Sequence, residues 1–491
     1  SQDRPLSCLW KTDAKLLCAT SEKGKPRWLS INADGTDETD LHLFTTLIDL
    51  LPDQPARVLV REFGATYAPV AFVDVETGKH SIVEGTERYS DIGDGEGAIR
   101  VRRYSERHSN GWAFMPSPKT NWVMLFDDAF NTPEWFIPRA FDQRTNEILY
   151  VHLHDDRLAL FAWDGHGERR LVRAEAFAHV LGVRMIGKAS RAGSAVILDG
   201  QARHEPIDAR VASVHDAVQR SFPTSIVNVL QEDWNQRYYL VFVGDRQWVG
   251  HYYRFSWDDG AIDDLGATHA STEKHIAARR IMLDLSAQVG RPAAAHFTVP
   301  ADANGALPAI VVPAGSSNWA DNIVPFLVAS GFVVIENGVE PLRRGAKIGS
   351  NWQATESEIE ASVRELAQRG TVDPARICAM GSELGAYVAL MTAADEPELF
   401  RCIVGVNTTV DPVIGNQMVA SLKSNVTVPV PVLLIGGKSD RSAGRLRSAL
   451  ENHGAPSAEL VAYESEMFGG ATAKTVDQLA RIGEFFAAHL H

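Results

Sequence analysis

The sequence is poor in cysteine, with four in 491 residues, too few for a disulfide scaffold. No Cys-x-x-Cys pair occurs, so a thiolate zinc centre has no support. Cys8 and Cys18 flank a hairpin-like stretch and would pair in an oxidising compartment, whereas Cys378 and Cys402 fall in apolar runs and read as packed, buried thiols. No apolar run approaches the roughly 18 residues needed to span a bilayer, so no membrane span is expected. The chain opens at Ser1 without a charged-plus-apolar leader. A mature form, a trimmed chain and a cytosolic protein all fit that start, and the compartment stays open. Basic charge is also in deficit, with 48 Lys and Arg against 62 Asp and Glu, a net charge of −14. That balance argues against a nucleic-acid partner, and the densest basic run, Arg100-Val101-Arg102-Arg103, is too short to change it. Gly315-Ser316-Ser317 lacks the Gly-Lys-Ser/Thr ending of a phosphate loop. No cofactor is expected.

What is present falls into two grammars, and the length itself calls for more than one core. The first half reads as short strands rich in β-branched and aromatic residues: LLCAT, RWLSI, VLVRE, VAFVDV, ILYVHL, LALFAW, YYLVFVG and HYYRFSW. Several lead into related turns, NADGT around Gly35, DVETGK around Gly78, WDGHG around Gly165 and WDDG around Gly260. Gly and Asp supply the left-handed backbone such turns need. The glycines are spaced by about one or two units of roughly 43–48 residues, the period of a four-stranded propeller blade. Ser117-Pro118-Lys119 and Arg191-Ala192-Gly193 are candidates for the two missing turns. The expectation is a β-propeller of six to seven blades over residues 1–270.

From residue 271 to 491 the pattern changes to apolar strands alternating with helices of 10–17 residues. HFTVPA, PAIVVPAG, FVVIENG, RICAMG, RCIVGVN, VPVLLIGG and AELVAYE are the strands. This alternation predicts a doubly wound, mainly parallel α/β sheet.

Within it, DPARICAMGSELGAYVALMTAADEPELFRCIVGV, residues 373–406, resembles the nucleophile region of the prolyl oligopeptidase family, serine peptidases with a β-propeller and an α/β-hydrolase domain. Members read like DPxRIxxxGxSxGGYxAL. PAIVVPAGSSNW resembles the family's PLVVxxHGGP segment, VPVLLIGGKSDR its PVLLIHGxxDxR segment, and VAYESEMFGG its YPGEGHGF segment. The resemblance covers about residues 285–491. It implies a peptide or protein ligand in an interdomain cavity and is compatible with homo-oligomer formation.

Carried over position by position, the catalytic residues are missing. Glu383 stands at the nucleophile position of the G-x-S-x-G elbow, Ser439 at the aspartate and Phe468 at the histidine. Gly385-Ala386 replaces Gly-Gly, Ala314-Gly315-Ser316-Ser317 replaces the oxyanion segment, and Asn337-Gly338-Val339-Glu340-Pro341 replaces the arginine-bearing one. A serine hydroxyl needs an imidazole to take its proton, and the imidazole needs a carboxylate to hold its tautomer. Phe468 does neither job of an imidazole. The resemblance therefore implies a binding or regulatory pseudopeptidase, with no active catalytic residue. The competing reading is a hydrolase with unorthodox activity. Ser382 could react one residue early, although the exposed side chain of an elbow is the third of its five residues. Glu383 could attack as a carboxylate, as an Asp does at the elbow of haloalkane dehalogenase-like enzymes. Either route needs a base, and the stretch covered by the resemblance, from about residue 285 on, offers only His296, His453, His489 and His491. If desolvated, Glu383 would need a cation, with Lys438 and Arg441 the candidates. His152-Leu153-His154-Asp155-Asp156 carries two imidazoles on one strand face but reads as a strand and turn, so no metal is expected. Trp112, Trp122, Trp135 and Trp234 read as blade core or surface in preference to a carbohydrate platform.

Overall fold

The computed structural model describes residues 7–22, 25–42, 44–62, 69–84, 91–106, 109–118, 120–128, 136–155, 157–188, 190–198, 202–244, 250–267, 278–314, 320–338, 352–382, 384–407, 427–438, 441–452, 454–463 and 473–490. Two compact units divide the chain near residue 266.

The first unit is a six-bladed β-propeller. Blade one holds β1 (Ser7–Thr12), β2 (Lys15–Glu22), β3 (Lys25–Asn32) and β4 (Thr39–Asp40). Blade two holds β5 (Phe44–Asp49), β6 (Arg57–Glu62), β7 (Val70–Asp74) and β8 (His80–Glu84). Blade three holds β9 (Asp91–Gly93), β10 (Ile99–Glu106), β11 (Ser109–Phe114) and β12 (Val123–Asp128). Blade four holds β13 (Ile137–Asp142), β14 (Glu147–His154), β15 (Arg157–Trp163) and β16 (Arg170–Arg173). Blade five has three strands, β17 (His179–Ile186), β18 (Arg191–Leu198) and β19 (Ala202–Pro206), followed by helix α1 (Ala209–Ser221). Blade six holds β20 (Ile226–Glu232), β21 (Tyr238–Gly244), β22 (Gly250–Ser256) and β23 (Ile262–Ala267). Strands within each blade pair in chain order. The first strands of successive blades pack on one another, β5 on β9, β9 on β13, β13 on β17 and β17 on β20. First strands therefore form the inner ring around the propeller axis.

The four glycine turns connect the third and fourth strands of blades one, two, four and six, with φ of +85° at Gly35, +67° at Gly78, +93° at Gly165 and +71° at Gly260. Ser117-Pro118 fills the same place in blade three. Arg191-Ala192-Gly193, expected to be a turn, is instead the start of β18. Gly193 is the extra residue of a bulge there, and its carbonyl accepts from Ile207 N at 2.9 Å and Asp208 N at 3.1 Å. Blade five has no third-to-fourth turn because α1 follows its third strand. Asp208 caps α1 by accepting from Arg210 N and Val211 N, and Val211, Val214 and Val218 bury against Val227, Val229 and Tyr239 of blade six. Buried charges are partnered within and across blades, as low-dielectric surroundings require. Arg61 of blade two pairs with Asp91 of blade three, and Arg191 of blade five with Glu232 of blade six.

One cysteine pair follows expectation and the other departs from it. Cys8 and Cys18 form a disulfide across β1 and β2, where they are direct partners. Cys378 and Cys402, read as packed thiols, also form a disulfide. Parallel pairing sets Ala379 opposite Ile403, so the two preceding cysteines are brought side by side, a juxtaposition 24 residues of sequence separation conceals.

The second unit adds β24 (Ala278–Asp284), α2 (Ser286–Val289), β25 (Ala294–Pro300), β26 (Leu307–Ala314), α3 (Ala320–Ala329), β27 (Val333–Gly338), α4 (Trp352–Gln368), β28 (Val372–Ser382), α5 (Leu384–Asp395), β29 (Ile403–Val406), β30 (Val432–Gly437), α6 (Arg441–Asn452), β31 (Ala458–Tyr463) and α7 (Ala473–Leu490). Its eight strands are ordered β24-β25-β27-β26-β28-β29-β30-β31. β24 and β25 are antiparallel, and the six strands from β27 to β31 run parallel. Successive residues of β28 face opposite layers: Ile377 and Ala379 join the core under α4 and α5, while Cys378 and Met380 join the core under α3 and α7. That two-sided burial explains why these strands read as continuous apolar runs. Among the described residues no helix is long and apolar enough to cross a membrane.

Candidate functional site

In open parallel sheets, reactive side chains gather beyond the carboxyl ends of the strands. Here β28, β29, β30 and β31 are neighbours whose register sets Ser382 beside Val406, Val406 beside Ile435 and Ile435 beside Val461. Their carboxyl ends share one edge of the sheet.

β28 passes into α5 across one residue, because the strand ends at Ser382 and the helix starts at Leu384. So sharp a turn requires the helix backbone to fold back on the strand. A Cβ on Gly381 would run into the backbone of Gly385 and Ala386, so only glycine fits. Ala386 is fully buried and Tyr387 nearly so. So short a passage from strand to helix, seated on a glycine, resembles the elbow of an α/β-hydrolase.

The next corner is built by β30, β31 and α7. Lys438 N donates to Tyr463 O at 2.7 Å, tying the ends of the two strands. The Tyr463 hydroxyl donates to Asp477 of α7 at 2.5 Å, and Arg481 Nε donates to the same carboxylate at 3.0 Å. Partial burial and the adjacent Asp477 carboxylate push the Tyr463 phenol up to about 12, so it stays a donor. Lys474 lies 5.7 Å from the centre of the Tyr463 ring.

Glu383, Ser439 and Phe468, with Arg441's side chain, lie outside the described residues. In the chain they follow β28 by one residue, β30 by two and β31 by five. Ser382 is described: it is 3% exposed, at the buried end of β28. Of the four histidines named above, His453 and His491 also lie outside the described residues. His296 is buried on β25, opposite Met282 and Glu336. Two intervening strands separate β25 from β28, which places it about 14 Å away. His489 bonds to Phe485 O at 2.8 Å in the last turn of α7, about 24 Å along the helix from its start. Neither described imidazole lies on β28, β30 or β31.

Elsewhere, the His152 and His154 rings stand edge-on to Phe161 at 6.1 and 6.0 Å. Among the described residues no group of three or more His, Cys, Asp or Glu side chains is arranged to hold a metal. Trp122 lies under Arg102, Trp234 under Lys188, and Trp112 packs in the core of blades three and four. Trp135 lies outside the described residues. Sequence reasoning missed Arg139 and Arg184 of the inner ring, because a lone arginine in a short strand carries no motif.

The sequence profile of the prolyl oligopeptidase family matches residues 347–419, the stretch containing α4, β28 and α5. No curated protein matches in sequence. Solved structures match over nearly the whole chain. Prolyl oligopeptidase B from Galerina marginata, bound to a 25mer macrocyclization substrate, is 13% identical with a TM-score of 0.65, covering 98% of this chain and 80% of that one. Acylaminoacyl peptidase from Pyrococcus horikoshii is 12% identical with a TM-score of 0.62, covering 99% and 88%. A puromycin-hydrolyzing peptidase from Mycobacterium tuberculosis is 14% identical with a TM-score of 0.58, covering 100% and 95%. Propeller, mixed eight-stranded sheet and glycine-seated elbow together give this chain the fold of the prolyl oligopeptidase family, as its sequence resemblance implied.

Proposed function

We propose that this chain is a prolyl oligopeptidase-fold protein that binds a peptide or protein ligand without cleaving it. The observation that carries the reading is the elbow: its Gly381 seat is preserved while the residue it serves is Glu383. A carboxylate there has no proton to surrender to a base, and any acyl intermediate it formed would need a second group to activate the water that hydrolyses it. The histidine position is Phe468 and the aspartate position Ser439, so that second group is missing as well. The burial of Ser382 supports the reading too, since a nucleophile must reach its substrate. Loss of all triad members leaves only binding and oxyanion effects, and the oxyanion segment Ala314-Gly315-Ser316-Ser317 is itself altered.

The test is turnover of a panel of aminoacyl and peptidyl amides and esters by the purified chain, with Glu383→Gln alongside. The expected result is background hydrolysis by both proteins. Turnover by the natural chain that Glu383→Gln abolishes would instead establish a carboxylate-based hydrolase.

A further inference from the structure

The inner ring of the propeller carries eight ionisable side chains on its described first strands, and six are accounted for by the fold. Lys11 donates to the carbonyls of Leu50 and Leu51. Asp49 accepts from Leu51 N and Gly95 N, and Asp91 pairs with Arg61 and Arg102. Asp142 accepts from Arg144 N, Thr145 N and Ala192 N, and Glu232 pairs with Arg191. His179 Nδ1 accepts from Leu158 N at 3.2 Å, and burial pulls its pKa down to about 4, so it is uncharged.

Arg139 and Arg184 are the other two. They lie on β13 and β17, adjacent first strands that pack together. Among the described residues neither has a hydrogen-bond or ion-pair partner, although the chain carries an excess of acid. Both are solvent-exposed. Both are also crowded enough by protein that burial lowers their pKa values. Exposure and crowding coexist in a concavity, which an inner-ring position supplies. Arg139 is the extra residue of a bulge between Pro138 and Ala140, a device that re-aims a side chain. It reaches across to blade five: a Cβ on Gly182 would meet its Cγ, Cδ and Nε at 3.4 Å. Gly182 and Arg184 are two residues apart on β17, about 7 Å along the strand.

We propose that Arg139 and Arg184 form an anion site in the propeller channel that receives a carboxylate of a peptide ligand. Guanidinium groups match a carboxylate with paired N–H donors, and two from neighbouring blades can hold it from both sides. The choice of a peptide carboxylate over free phosphate, which has the same donor requirement, rests on the binding function proposed above.

The experiment is fluorescence anisotropy on the full chain with three probes: a labelled Glu-containing peptide, the same peptide with its carboxylates amidated, and inorganic phosphate as competitor at matched ionic strength. The acidic peptide should bind about tenfold or more tighter than its amidated form. Arg139→Ala and Arg184→Ala should each remove most of that preference, and Arg139→Lys should keep part of it. Phosphate should displace the peptide no better than chloride. Among the described residues neither side chain has a hydrogen-bond or ion-pair partner, so thermal unfolding should not change; if one variant fails to fold, the other reads the same preference. Equal binding of the acidic and amidated peptides, unchanged preference in both alanine variants, or selective displacement by phosphate would each overturn the proposal. Binding is read here and turnover is not. Detection of hydrolysis would therefore overturn the pseudopeptidase reading and leave this site standing, while equal peptide affinities would do the reverse.

Discussion

At the scale of single residues, the elbow separates what shapes a turn from what reacts in it. Gly381 is required by geometry, since its missing Cβ is the space that the Gly385–Ala386 backbone occupies. Gly381→Ala should destabilise the second unit by about 1–3 kcal/mol through forced backbone displacement, measured by chemical denaturation. An unchanged midpoint would mean that the helix does not press on the strand. Reactivity is a separate matter, because an elbow serine without its imidazole remains a weak nucleophile. Glu383→Ser alone should therefore leave ester turnover at background. The sequence made this dissociation readable, since both glycines and the substituted position lie within five consecutive residues. It did not reveal the Cys378–Cys402 bond or the Arg139–Arg184 pair, because each depends on which strands become neighbours.

At the scale of elements, α4 and α5 carry a titration buried in their contact. Glu356 on α4 is 8% exposed, and among the described residues its Oε1 has no hydrogen-bond partner. Burial first, and then the negative charges of Asp395, Glu360 and Glu396, push its carboxyl up to about 7. Between the ordinary carboxylate value and about 7, the folded state holds a proton that the unfolded state has lost. Stability contributed by the neutral acid is therefore lost as pH rises through that window. Glu356→Gln should match the natural chain at pH 5 and exceed its stability at pH 8 by about 1–3 kcal/mol, read from urea midpoints at the two values. A gain of the same size at both would contradict the assignment. In the propeller, Asp208 caps α1 and accepts from Arg144 at 2.8 Å. Asp208→Ala should cost about 2 kcal/mol, combining a lost cap with the lost contacts to Arg144 and Arg191, the latter keeping Glu232, and a far-UV circular dichroism melt reads that loss.

The strands legible in sequence were the second and third of blades one, two, four and six, which are rich in β-branched and aromatic residues and have buried faces, such as β14 and β15. β4 and β9 have two and three residues and lack a readable period. Blade five escaped recognition because α1 follows its third strand, so the repeated turn never occurs there. In the second unit nearly every strand and helix was legible, because apolar runs and helical periods alternate from β26 to β29 and again from β30 to α7.

At the scale of the whole molecule, two disulfides close all four cysteines. Such bonds persist in oxidising surroundings. Alkylation of the denatured, unreduced chain should modify no cysteine, and alkylation after reduction should modify four, by intact mass. Free thiols before reduction in material from an oxidising environment would contradict the paired state.

The function proposed above requires that a peptidase fold keep its architecture and lack its nucleophile. Intact-mass analysis after incubation with a serine-reactive fluorophosphonate addresses that claim directly, because the probe reports an activated serine whatever the substrate. The proposed function predicts an unmodified mass for the folded chain. A single stoichiometric adduct, located by peptide mapping at Ser382 or any other serine, would contradict it.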